Sequence, residues 1–304
     1  MKPAESFDFN RREFIATAMG AATAAAAAVV ASSAVLGAEE KSGGAPSGNL
    51  IDTNVYLGRW PFRRLPLDET AKLVAKLRDQ GVAQAWAGSF DALLHKDITS
   101  VNARLAGECH NSGGGLLVPI GAVNPMQPDW EEDLRRCAEE HRMPGIRLHP
   151  NYHGYKLSDP VFERALKVAD ERGLFVQIAL IMEDERTIHP LVNVPPTDTA
   201  PLSALAQKFP RVRVQLLNTF RTLRGKPLLD LAATGVRFEI AMVEGVNGVA
   251  NLLSEIDPGR VLFGSYAPFF YFESARLKLK ESALDAGQMS AVSEGNARQF
   301  QAAR

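Results

Sequence analysis

Ile51-Asp52-Thr53-Asn54-Val55-Tyr56-Leu57-Gly58 is the stretch on which the reading of this chain turns. β-Branched and aromatic residues fill it and a glycine ends it, so it reads as a first β-strand. Strand side chains alternate between two faces, which puts Asn54 and Tyr56 on the same one. From Leu50 onward short apolar runs alternate with amphipathic helical stretches. Strands are predicted at 50–56, 82–87, 116–122, 145–149, 174–180, 211–217, 236–241 and 260–264. Helices are predicted near 68–80, 98–111, 129–141, 160–172, 201–208, 226–233, 247–256 and 273–285. Eight β–α repeats predict a single (β/α)8 TIM barrel over 50–304, with a doubly wound open sheet as the alternative. Asp68 and Ser158-Asp159-Pro160 are expected helix starts, and Gly81, Gly145, Gly173 and Gly235 expected helix stops.

Ahead of the strands, Asn10-Arg11-Arg12-Glu13-Phe14-Ile15 and the Ala-rich run Ala16 to Leu36 resemble a twin-arginine export signal. Residues 1–38 are therefore expected to be a cleaved signal read by the twin-arginine export machinery. Residues 39–49, rich in Gly, Ser and Pro, are the expected flexible lead-in, and the mature protein is expected in the periplasm or cell envelope. The formal net charge is -1, from 34 Lys+Arg and 35 Asp+Glu, which excludes a strong electrostatic pull toward nucleic acid. Cys109 and Cys137 are read as buried free thiols.

Four stretches together resemble the amidohydrolase-related family of metal-dependent hydrolases. They are Ile51-Asp52 through Gly58, Gly145-Ile146-Arg147-Leu148-His149-Pro150-Asn151-Tyr152-His153-Gly154-Tyr155, Phe263-Gly264-Ser265-Tyr266-Ala267-Pro268, and Gly295-Asn296-Ala297-Arg298. The resemblance implies a TIM barrel and a metal held by His-x-His on the first strand, one His ending each of the fifth and sixth strands, and an Asp ending the eighth. This chain has Asn54 and Tyr56, Ala179, Asn218 and Tyr266 at those places. Amide, phenol and methyl groups are poor replacements for imidazole and carboxylate on zinc. The expectation is thus no metal cofactor, zinc included. A metal site at His149 and His153, helped by Glu183, Asp184 or His189, is set aside because Pro150 and Gly154 argue for a loop.

The remaining polar residues at the strand ends form the candidate site. His149 is the candidate acid–base group. Tyr56 and Tyr266 are candidate donors to a substrate oxyanion, and Arg147 a candidate carboxylate clamp. Asn54, Gln177, Asn218, Glu239 and His153 are candidate substrate contacts. Each has a plainer role available: a loop-bonded histidine, tyrosines filling the space a metal leaves, an Arg147–Glu239 ion pair. Phe269-Phe270-Tyr271-Phe272 floors a pocket or buries an oligomer contact, so a homo-oligomer is compatible with the chain. Three readings follow. The first is a hydrolase of a small carbonyl- or carboxylate-bearing substrate; the others are a catalytically inactive small-molecule binder and a partner or scaffold barrel.

Overall fold

The ladder begins with the quoted segment. β1 (Leu50–Leu57) pairs in parallel with β2 (Val82–Ser89), and β2 with β3 (Leu117–Pro119). A second parallel ladder runs in order through β4 (Gly121–Ala122), β5 (Gly145–Leu148), β6 (Phe175–Ala179), β7 (Val214–Leu217), β8 (Arg237–Glu239) and β9 (Val261–Leu262). This computed structural model describes residues 49–303 apart from 185, 190 and 193. The expected signal 1–38, and the lead-in up to residue 48, lie outside the described residues.

The observed class is α/β with parallel sheets. Eight strands were expected and nine short ones are seen among the described residues, because 116–122 is divided at Ile120: the part before it pairs with β2 and the part after it with β5. Main-chain bonds also tie the two ends of the sequence of strands together. Thr53 N–H donates to Phe263 O at 3.0 Å, Tyr56 N–H to Ala267 O at 2.9 Å, and Tyr266 N–H to Asn54 O at 2.8 Å. One residue is bulged out of β1 between Asp52 and Val55, where its register against β2 shifts. Strict alternation therefore fails there, and all eight β1 side chains are buried.

Helices cover the strands near the expected positions. α1 (Thr70–Asp79) starts after Glu69, so Asp68 is not the cap it was expected to be; its carboxylate takes Arg64 and the Leu65 N–H instead. Gly81, Gly173 and Gly235 do turn the chain at positive φ after helices. Gly145 does not: it is the first residue of β5, and a Cβ there would lie 2.3 Å from the Phe175 ring. Pro150 and Gly154 were read as loop residues, yet they start and stop a single helical turn, Pro150–His153, with Gly154 left-handed at φ 74°.

Trp86 of β2, Phe175 at the start of β6 and Phe300 near the carboxyl end of the chain pack together with centroids 4.9–6.1 Å apart. Burial of each such ring stabilises the fold by about 2–3 kcal/mol. Cys109 and Cys137 are free and buried, and burial pushes both thiols up to about 12. Among the described residues, no helix is long and apolar enough to cross a membrane.

Candidate active site

The polar residues that strands point inward form two tiers. In the lower tier each of the three side-chain nitrogens of Arg147 on β5 donates to a neutral acceptor. Nε donates to Gln177 Oε1 at 2.8 Å, Nη1 to Val55 O at 2.9 Å, and Nη2 to Trp86 O at 3.1 Å and Thr53 O at 3.4 Å. Gln177 passes the chain on to Thr53 O at 2.9 Å and Gln215 Oε1 at 2.8 Å, and Gln215 donates to Thr53 Oγ1 at 2.8 Å. Space for the guanidinium comes from Gly88, where a Cβ would lie 2.7 Å from Nη1. The ion pair with Glu239 raised from the sequence is not formed; the guanidinium instead lies 4.4 Å from the centre of the Tyr56 ring.

Two carboxyls flank this tier. Asp52 accepts from the Asn54 N–H at 3.1 Å and the Ser265 N–H at 2.9 Å, and burial raises it to about 6 against those bonds and the Arg147 charge. Glu239 accepts from the Asn218 N–H at 2.6 Å and Asn54 Nδ2 at 3.3 Å, and burial raises it to about 7. Gly264 makes its room, since a Cβ there would lie 2.7 Å from Oε2. Asn54 Nδ2 also donates to Asn218 Oδ1 at 2.9 Å, and Asn218 Nδ2 to Ile181 O at 2.8 Å.

In the upper tier Tyr56 and His149 meet, hydroxyl to Nε2, at 3.0 Å. Burial holds His149 well below its ordinary value, with the neighbouring His153 and Arg147 adding to the effect, so the ring is neutral. Burial also pushes Tyr56 up, so the phenol keeps its proton. The other ring nitrogen, Nδ1, has no hydrogen-bond partner among the described residues. His153, half-buried, donates Nε2–H to Ala92 O at 2.9 Å, its ring centre 5.9 Å from that of His149. Tyr266 donates to Met182 O and stands edge-on to Tyr56 at 5.7 Å.

Tyr266 and Asn218 both hold positive φ, 59° and 58°. For asparagine that is tolerated; for tyrosine it is strain of the sort that marks functional sites.

The structure brings together Asn54, Tyr56, Arg147, His149, Gln177, Asn218, Glu239 and Tyr266, each no more than 1% exposed. Rings seal them from above: Phe90 stacks on Tyr56 at 4.7 Å, Phe269 on Tyr266 at 4.9 Å, and Trp60 stands edge-on to both at 5.3 and 5.1 Å. Over this layer, on the β6–β9 side, opens a cleft of about 660 Å³ lined by Arg63, Arg221, Met242, Phe269, Phe270 and Lys278 among others. Phe269, Phe270 and Tyr271 of the expected aromatic cluster line it, while Phe272 turns into the core at the start of a helix. Sequence reasoning missed Asp52, Thr53 and Gln215 below and Arg63 above, and named Glu183 as a helper of the metal site it set aside. Gln215 carries a signal, being the one polar residue in Val214–Leu217.

A parallel α/β protein with polar groups gathered at the carboxyl ends of its strands is the class this arrangement defines. The family model described as Amidohydrolase matches residues 57–217, more than half of the chain, and the chain belongs to that family. Among solved structures, 5-carboxyvanillate decarboxylase from Novosphingobium aromaticivorans, with bound manganese and 3-methoxy-4-hydroxy-5-nitrobenzoic acid, is 16% identical, covers 85% of this chain and 98% of its own, and has a TM-score of 0.66. The 2,6-dihydroxybenzoate decarboxylase from Rhizobium is 12% identical over 83% and 98%, with a TM-score of 0.64. Dihydroxybenzoic acid decarboxylase from Polaromonas sp. JS666, with bound manganese and 2-nitroresorcinol, is 11% identical over 83% and 96%, with a TM-score of 0.62. No curated protein matches in sequence.

These relatives correct the expectation of no metal cofactor: two of the three carry manganese, so a metal goes with this fold family. The side chains as they stand here do not make the oxygen- and imidazole-rich site such an ion takes. The oxygens of Asp52 and Glu239 accept main-chain N–H groups, and Nε2 of His149 is taken by Tyr56. Among the described residues no three His, Cys, Asp or Glu side chains converge on one point.

Proposed function

We propose that this chain is a hydrolase of the amidohydrolase family that acts on a small carbonyl- or carboxylate-bearing substrate, with His149 as its acid–base group. The observation that carries the reading is the His149–Tyr56 bond at the carboxyl end of β5, with His149 neutral and its second nitrogen unpartnered. A neutral imidazole anchored through one nitrogen can exchange a proton with substrate or water through the system the pair forms. The Tyr56 and Tyr266 hydroxyls are the groups to polarise a carbonyl oxygen when substrate displaces their present partners, His149 and the Met182 carbonyl. Asn54, Asn218, Gln177 and Glu239 hold these tyrosines' surroundings fixed, and His153 borders His149. Arg147 supports Tyr56 from beneath, because each of its side-chain nitrogens already donates to a neutral acceptor. A carboxylate on the substrate is supported by the Arg63, Arg221 and Lys278 side chains in the cleft, and by the aromatic acids in the names of the structural relatives.

The same reading takes the nine strands as one closed eight-stranded (β/α)8 barrel, β3 and β4 counting as one. The parallel ladders and the β1 bonds to Phe263 and Ala267 support it. It takes the chain as exported, on the strength of the Asn10–Ile15 pattern.

The test is a panel of aryl esters, lactones and aromatic acids. Turnover should fall about 100-fold or more in His149→Ala and about tenfold in Tyr56→Phe. Turnover that survives His149→Ala removes His149 from the chemistry. A second reading, a binder without turnover, is favoured by the burial of the pair beneath the rings. On that reading the same compounds bind by calorimetry and none is converted.

A further inference from the structure

Arg63 lies on the segment between β1 and α1 and reaches across to Glu183, in the connection after β6. The two ends of this ion pair differ. The Arg63 side chain is 43% exposed and lines the cleft, while the Glu183 side chain is fully buried. Glu183 Oε2 has no partner among the described residues, so Arg63 is the cation that neutralises it. The guanidinium also lies 4.9 Å from the centre of the Phe269 ring.

Both contacts sit on the cover of the candidate site. Three residues before Arg63, Trp60 is wedged edge-on against Phe90 and Phe269. One residue before Glu183, Met182 takes the Tyr266 hydroxyl on its carbonyl, and its sulfur lies 3.6 Å from the Tyr56 hydroxyl. The segment carrying Trp60 and Arg63 is therefore pinned over the Tyr56–His149 pair at two points: an apolar wedge and an ion pair with one wet end.

We propose that Arg63 is the residue that recognises the ligand's carboxylate, and that it does so by leaving Glu183, which frees the Trp60–Arg63 segment and opens the cleft toward Tyr56 and His149. This rests on the reading that the ligand carries a carboxylate. A planar guanidinium matches a carboxylate bidentately, so a ligand in the cleft offers Arg63 a partner equivalent to the one it gives up. The exchange moves one ion pair and makes or breaks no covalent bond. Leaving the buried Glu183 carboxylate without its cation works against the exchange, so Glu183 sets the affinity by competing with the ligand for the guanidinium.

The experiment uses benzoate as the probe and benzamide as its neutral counterpart, with calorimetry for affinity and hydrogen exchange over residues 59–65 for the cover. The wild type should bind benzoate and not benzamide, with faster exchange in 59–65 when benzoate is present. Glu183→Gln, which leaves Arg63 unclaimed, should bind benzoate about tenfold tighter and show the faster exchange without ligand. Arg63→Gln should lose about tenfold or more in benzoate affinity, and Arg63→Lys should fall between, since it keeps charge without the planar fork. Benzoate affinity unchanged in all three variants overturns the exchange and leaves the carboxylate reading standing. Benzoate binding to neither the wild type nor Glu183→Gln at millimolar concentration overturns the carboxylate reading, and the exchange with it.

Discussion

Arg147 and Arg63 lie at the same end of the fold and hold their charges in opposite ways. Arg147 is sealed inside, bonded to three main-chain carbonyls and one amide, with no carboxylate on it. Arg63 is half in water and tied to a carboxylate and a ring. Arg221, Asp184 and Glu244 in the same cleft form part-exposed ion pairs with one another. The lower tier thus fixes geometry, because its buried donors and acceptors are bonded to one another. The cleft leaves charges free to change partners. A site built this way separates the rigid part from the part that meets ligand.

The largest effect is expected where that contrast is deepest. Arg147→Ala takes the donor from the Val55 and Trp86 carbonyls and the Gln177 amide oxygen and should cost about 3–5 kcal/mol in urea denaturation. A cost under about 1 kcal/mol would erase the distinction between the two tiers.

Glu239 sharpens it through pH. Its folded value of about 7 lies above that of an unfolded glutamate, so the folded state holds the proton more tightly. Its stabilising contribution is complete below about pH 4 and is lost as the pH rises through about 7. Asp52 behaves alike through about 6. His149 acts in the other sense, losing stability as pH falls below its ordinary range, but it is common to wild type and variant. Between pH 5 and pH 8 the stability of Glu239→Gln relative to wild type should therefore rise by about 2 kcal/mol. A flat difference over that range means the carboxyl does not titrate there. The smallest effect belongs to the cleft: Arg221→Ala should change stability by less than about 1 kcal/mol in the same denaturation assay.

The strands were legible because each is a short apolar run between turn residues, and the inward-pointing types followed from alternation. What was not legible came from two physical sources. The bulge between Asp52 and Val55 breaks alternation, so Thr53 turns its carbonyl and hydroxyl to Gln177 and Gln215, which period two does not foresee. The cover is assembled from Trp60, Phe90, Met182 and Phe269, distant in sequence and joined only by the fold. Residue types could therefore be read as a polar site, while its closure and the cleft above it could not. Gly145 and Gly88 illustrate the same limit: what makes each necessary is a side chain on another strand, Phe175 or Arg147.

The two buried cysteines have a practical consequence. Cys109 and Cys137 are unpaired, and with thiols pushed up to about 12 they carry almost no thiolate at neutral pH while the fold is closed. A thiol-alkylating reagent therefore modifies the molecule only when it opens. In reagent excess the labelling rate becomes a clock for that opening, read by mass with no dye or engineered residue. Cys109 lies in the helix Ile98–Gly113 and Cys137 in Trp130–Glu139, so the two sites time the loosening of separate helices within one native chain.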